Sequence, residues 1–157
     1  MRRIDYYDDP AAPPPNSLVP SANVVVVNDH GAVLLIRRTD NDNWALPGGA
    51  MDLGESLPDC GVREVKEESG IDCEISGLVG IYTDPKHVIV YTSNGEARQE
   101  FSAVFTARAT GGEPTTSDES SEVRWIEPDQ LEELPMDRSM RLRISHYLAA
   151  DGQPHLG

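Results

Sequence analysis

The segment Gly49–Ile71, GAMDLGESLPDCGVREVKEESGI, leaves the chain few ways to fold locally. Ser56 is a candidate N-cap, Pro58 suits a first turn, Asp59 favours the positive end, and Gly70 is a natural terminator. A helix is therefore predicted from Ser56 to about Ser69. Gly61 is its weak point, at a cost of up to ~1 kcal/mol relative to alanine. At 100° per residue, Glu64, Glu67 and Glu68 share an arc of about 100°. Carboxylates so placed repel one another. Leu57, Gly61, Val62 and Val65 form the apolar side, so the acids border the buried face rather than oppose it. Uncompensated charge is costly there. Arg63 can pair with one carboxylate. A hard divalent cation, which takes carboxylate, carbonyl and water oxygens, can hold several. For EVKEE taken by itself, a solvated acidic face is the plain alternative.

A chain of 157 residues suits one domain with a sizeable core. Its formal net charge of −14 argues against duplex nucleic acid as a partner. It does not argue against small phosphorylated ligands, because bound cations invert the local field. No apolar run approaches the ~20 residues of a membrane span, so no membrane partner is expected. The start, MRRIDYYDDPAAPPPN, has no apolar stretch behind its arginines and does not read as a secretory signal. Cys60 and Cys73 sit in no CxxC motif, and His30, His87, His146 and His155 are scattered. The expected compartment is a reducing cytoplasm.

Residues 1–20 are read as a Pro-rich N-terminal arm, packed through Tyr6 and Tyr7 or left floppy, and residues 21–157 as a single domain. SANVVVVNDHGAVLLIRR reads as a hairpin and TDNDNWALPGGAMDLGE as loop. CEISGLVGIYT, HVIVYT, QEFSAVFTARA and EVRWI are strand candidates. PDQLEEL reads as a short helix. DRSMRLRISHYLAA reads as a better one, with Met140, Ile144, Tyr147 and Leu148 at helical spacing. This order predicts a mixed β-sheet with helices on its faces, an α/β or α+β sandwich.

The spacing around the acids says more than the acids do. The segment runs Gly49, five residues, Glu55, seven residues, Arg63-Glu64, aliphatic Val65, one residue, Glu67-Glu68, one residue, Gly70, aliphatic Ile71. Such a pattern arises by chance less than about once in a billion windows of average composition. It matches every fixed position of the Nudix box. The chain thus resembles the Nudix hydrolase superfamily, with LLIRR, WALPGG and EVRWI adding likeness to its MutT-like and ADP-ribose pyrophosphatase-like branches. The resemblance implies an α/β/α sandwich with a mixed sheet. It also implies a pyrophosphohydrolase that depends on Mg²⁺ or Mn²⁺, with two or three ions. Its substrate would be a nucleoside diphosphate linked to another moiety, such as ADP-ribose, or a nucleoside triphosphate.

Roles carry over residue by residue. The resemblance makes Glu64, Glu67 and Glu68 metal ligands, with the Gly48 carbonyl as a further one. Gly49, Glu55 and Gly70 are structural parts of the box. Arg63 belongs to the catalytic group by holding the glutamates, not by moving a proton. Arg38 matches a position that often contacts phosphate. Glu119 is the expected acid outside the box, with Glu122 and Glu100 as rivals; Glu64 and Glu119 both stand as candidates for the general base. Trp44, Tyr82 and Tyr91 are candidates for stacking on a base, each with core or surface packing as the alternative. Pro85 stands 14 residues after Ile71, a spacing similar to that of ADP-ribose hydrolases. A Nudix-like sensor that binds a nucleotide without cleaving it is the second reading. A homodimer through the N-terminal arm is plausible for the superfamily.

Overall fold

The structure, a computed structural model, describes residues 3–149 and 152–157. Residues 1 and 2 of the predicted arm, and Ala150 of the predicted last helix, lie outside the described residues. In chain order the elements are β1 (Arg3–Tyr7), β2 (Ser17–Leu18), β3 (Ser21–Val27), β4 (Val33–Arg38), β5 (Trp44–Ala45), β6 (Gly48–Ala50), α1 (Leu57–Ser69), β7 (Ile71–Tyr82), β8 (His87–Tyr91), β9 (Glu96–Gln99), β10 (Ser102–Gly112), β11 (Ser120–Ile126), a 3-10 turn over Pro128–Glu133, α2 (Arg138–Ala149) and β12 (His155–Leu156).

β3 organises the fold. Its four valines are too apolar for a strand with a wet face, and the strand is buried on both. Val24 and Val26 pack with Val65 of α1 on one side, and Val25 packs with Met140 and Ile144 of α2 on the other. The larger sheet runs β11-β4-β3-β10-β7-β12, with β3 and β10 parallel and β10 and β7 antiparallel. It is therefore a mixed sheet between two helices, the α/β/α sandwich the sequence predicts. A smaller sheet, β1-β8-β9-β2, is edged by the two strands of residues 3–20. Among the described residues no helix is long and apolar enough to cross a membrane.

Two readings need correction. WALPGGA is not simply loop. The β3–β4 hairpin pairs only at Val27↔Val33 beyond its turn and then splays. The freed backbone edges are satisfied by β5 on β4 and β6 on β3. QEFSAVFTARA is not one strand either: it passes from β9 in the small sheet to β10 in the large one across Glu100 and Phe101. Its residue pattern stays strand-like throughout, so nothing local marks the change of sheet.

Helix α1 is capped as read. Ser56 Oγ accepts from Asp59 N–H, and Gly70 ends the helix at φ 78°, donating to the Lys66 carbonyl. Its buried residues are Cys60, Gly61, Val65, Glu68 and Ser69, whereas Leu57 and Val62 are only half-buried. A Cβ on Gly61 would stand 2.8 Å from Val24 Cγ2, so this glycine lets α1 sit close against β3.

Candidate active site

Strand β6, beside β3, meets the flank of α1 and the loop before β11. Ser120 Oγ donates to the Glu68 carbonyl at 2.6 Å and pins that loop to α1. Glu64, Glu68 and Glu119 each bring a carboxylate oxygen to one spot, all within 4.8 Å of one another. Glu68 is 5% exposed, and its Oε1 accepts from Gly48 N–H at 3.1 Å. Burial pushes its carboxyl up to about 9; the Gly48 hydrogen bond opposes this, and the charges of Glu64 and Glu119 add to it. A Cβ on Gly49 would lie 2.7 Å from Glu64 Cδ, so only glycine leaves that carboxylate its place. Three hard oxygen donors with mutual repulsion and a buried member suit a divalent cation. Glu67 lines the same cavity, but its side chain is 59% exposed and turns to Arg63.

Arg63 is the hub of the acids. Nε and Nη2 form a fork on Glu55 at 2.9 and 2.7 Å. Nη1 donates to Glu64 Oε1 at 2.8 Å and to Glu67 Oε2 at 3.2 Å, and Nη2 also reaches the Ala50 carbonyl at 3.1 Å. The guanidinium pulls Glu55 down to about 2, and Glu55 in turn raises Arg63. Glu55 Oε1 also accepts from Asp52 N–H at 2.7 Å, which ties the loop to the helix. Arg63 thus aims Glu64, while the spot itself is left to carboxylates.

The cradle occupies a cavity of about 360 Å³. It shares Gly48, Gly49, Ala50, Glu68 and Glu119 with a larger one of about 580 Å³ between the two sheets. Arg38 lines the larger cavity and is held by Asp40 at 2.7 Å, a hydrogen bond that raises its pKa. Tyr91 lines it too, with Arg98 over its ring at 4.7 Å. Trp44 does not: it is 4% exposed in the core beneath α2. Tyr82 is also buried. Of the three acids outside the box, Glu122 pairs with Arg37 and Arg124, and Glu100 lies on the larger cavity against His87 and Arg143. Asn23 and Arg143 were not found from the sequence. The available signals were an asparagine inside SANVVVV and an arginine next to Ile144 on the packed face of α2.

A helix and a glycine strand that gather acids under an arginine make a site suited to a divalent cation. A family model of the NUDIX domain matches residues 17–147. A "MutT-like protein" of Streptomyces ambofaciens is 42% identical over 78% of this chain and 72% of its own length. A "Putative 8-oxo-dGTP diphosphatase" of Bacillus subtilis is 33% identical over 70% of this chain and 67% of its own. The crystal structure of a MutT protein from Methanosarcina mazei superposes with a TM-score of 0.68 at 22% identity, over 87% of this chain and 96% of that one. The chain belongs to the Nudix family and is a Nudix hydrolase.

Proposed function

We propose that this enzyme hydrolyses the diphosphate linkage of a small nucleotide, either a nucleoside diphosphate joined to another moiety, such as ADP-ribose, or a nucleoside triphosphate. The convergence of Glu64, Glu68 and Glu119 carries the reading. Relatives named as a putative 8-oxo-dGTP diphosphatase and an "ADP-ribose pyrophosphatase" support the reaction class. Glu64, Glu68 and Glu119 would hold Mg²⁺ or Mn²⁺, two or three ions in all, with Glu67 and the Gly48 carbonyl as further ligands. Bound there, such cations would neutralise charge on the diphosphate and make its phosphorus more open to attack.

The chain's own groups do the rest. Arg63 keeps Glu64 in line, and Glu55 keeps Arg63 in place. Glu64 or Glu119 accepts a proton from the attacking water. A bond forms from the water oxygen to phosphorus, the anhydride bond to the other phosphate breaks, and that phosphate leaves with its electron pair. Arg38 steadies a phosphate at the entrance, exchanging Asp40 for it. The larger cavity takes the organic part of the substrate.

The test is phosphate release from ADP-ribose, other diphosphate sugars, ordinary triphosphates and 8-oxo-dGTP, with a phosphatase added to reveal monophosphates. Cleavage of one class with Mg²⁺ or Mn²⁺, lost on chelation, is expected. Nucleotide binding without cleavage across the panel would replace the hydrolase reading with a sensor.

A further inference from the structure

The floor of the larger cavity is made of polar side chains that the diphosphate chemistry does not use. Asn23 on β3 and Arg143 on α2 are both buried and both line it. Arg143 Nη1 donates to Asn23 Oδ1 at 2.6 Å, and Ser102 Oγ donates to the same oxygen at 3.4 Å. With its carbonyl oxygen taken twice, Asn23 has its amide N–H groups to offer. That nitrogen lies beside the metal cradle, 2.3 Å from where a Cβ on Gly48 would stand.

A guanidinium has only donors to offer. Arg143 is 3% exposed, and its Nε is unpartnered among the described residues. Its Nη2 lies 3.3 Å from Glu100 Oε2, an oxygen also 3.3 Å from His87 Nδ1. Among the described residues no hydrogen bond ends on Glu100 Oε1, which leaves it as an acceptor. Behind it, His87 Nε2 lies 3.3 Å from Asp5 Oδ2, and Arg3 holds Asp5 at 2.8 Å. The whole row is braced by the N-terminal strand. It presents donors from Asn23 and Arg143 next to an acceptor from Glu100. Ile36, Ile89 and Met140 supply apolar wall for a flat ring.

We propose that this floor is a base-reading subsite, in which Asn23 and Arg143 donate to a ring carbonyl oxygen and Glu100 accepts from the adjacent ring N–H. That lactam edge belongs to guanine, hypoxanthine and uracil. Adenine and cytosine set an amino group against the guanidinium and leave buried donors without an acceptor. Sites built to hydrogen-bond one edge discriminate strongly against the other. The inference rests on the nucleotide reading above and adds the base class to it.

The experiment measures kcat/KM of the full chain with Mg²⁺ for matched pairs: GTP and ITP against ATP, UTP against CTP, GDP-glucose against ADP-glucose, and UDP-glucose against CDP-glucose. The lactam member of each pair is expected to lead by roughly tenfold or more. Arg143→Met narrows that ratio toward one by lowering the lactam rates. Should this variant fail to fold, Arg143→Lys, which keeps the charge beside Glu100 but not the fork, carries the same expectation. Equal turnover within pairs, a lead for the amino bases, or an R143M loss shared equally by both members overturns the subsite. No hydrolysis of any nucleotide counts against the hydrolase reading instead. The same ratio is then read from Kd values by calorimetry and judged in the same way.

Discussion

Replacing Glu68 by glutamine makes the metal-free protein more stable and the enzyme worse. Glutamine keeps the shape of the side chain and the acceptor for Gly48 N–H, and replaces a carboxyl that must take up a proton to lie in a site that is 5% exposed. The Glu68 carboxyl is raised from an ordinary value of 4.5 to about 9. A group raised in this way stabilises the fold fully below 4.5, and that stability is lost as pH climbs toward 9. At pH 7, two and a half units above the ordinary value of 4.5 and still below 9, folding must load this carboxyl with a proton that the unfolded chain has lost. At about 1.4 kcal/mol per unit, that costs roughly 3 kcal/mol. For a domain of this size, at ~2–4 °C per kcal/mol, relief of most of it raises Tm by ~5–10 °C. Melts followed by circular dichroism from pH 5 to 9, in chelator and in Mg²⁺, provide the assay. In chelator the parent loses Tm as pH rises and E68Q does not. In Mg²⁺ the parent recovers while E68Q gains little, and E68Q hydrolysis falls at least about 100-fold. The reasoning fails if E68Q melts below the parent in chelator at pH 7 to 8, or if Mg²⁺ raises both equally.

Arg63→Ala removes the fork on Glu55 and the bond to Glu64, and hydrolysis is expected to fall about 10- to 100-fold in initial-rate assays with the fold retained; an unchanged rate refutes the hub. The two adjacent glycines separate fold from site. In Gly48→Ala the new Cβ stands 2.1 Å from the Ala22 backbone oxygen, and Tm should drop sharply. In Gly49→Ala its nearest neighbours are the atoms of the Glu64 carboxylate, a side-chain end that can shift, so the protein should fold and show a weakened thermal response to Mg²⁺. Gly61→Ala gains up to ~1 kcal/mol of helix propensity but overpacks Val24 at a cost of ~1–3 kcal/mol, so a net loss of up to ~2 kcal/mol is expected in denaturant titrations, with Val24→Ala restoring part of it.

The legible part of this protein is the part set by short spacing. Ser56, Pro58, Asp59 and Gly70 act on backbone groups within one turn, so α1 and its ends followed from residue identity. Arg63 meets Glu64 and Glu67 on the same helix surface, and the box pattern carried the family. The valines of β3 marked one arm of a hairpin, and the order of strands and helices predicted a mixed sheet with helices on its faces.

Contacts across long stretches of chain were decided only by the tertiary structure. The family resemblance favoured Glu119 over Glu122 and Glu100, but nothing local separates the three. Packing sends one to the cradle, one to Arg37 and Arg124, and one to His87 and Arg143. Trp44 sits in a stretch that reads as loop, yet β5 draws it into the core, because the splayed β4 edge needs a backbone partner there. The pairing of Asn23 with Arg143 joins residues 120 positions apart, and no local pattern encodes such a distance. Residue spacing alone determined the helix, its caps and its row of acids, because those forces act within a turn. Which acid completes the site, and what the cavity beside it can recognise, depended on how the sheets and helices close on one another.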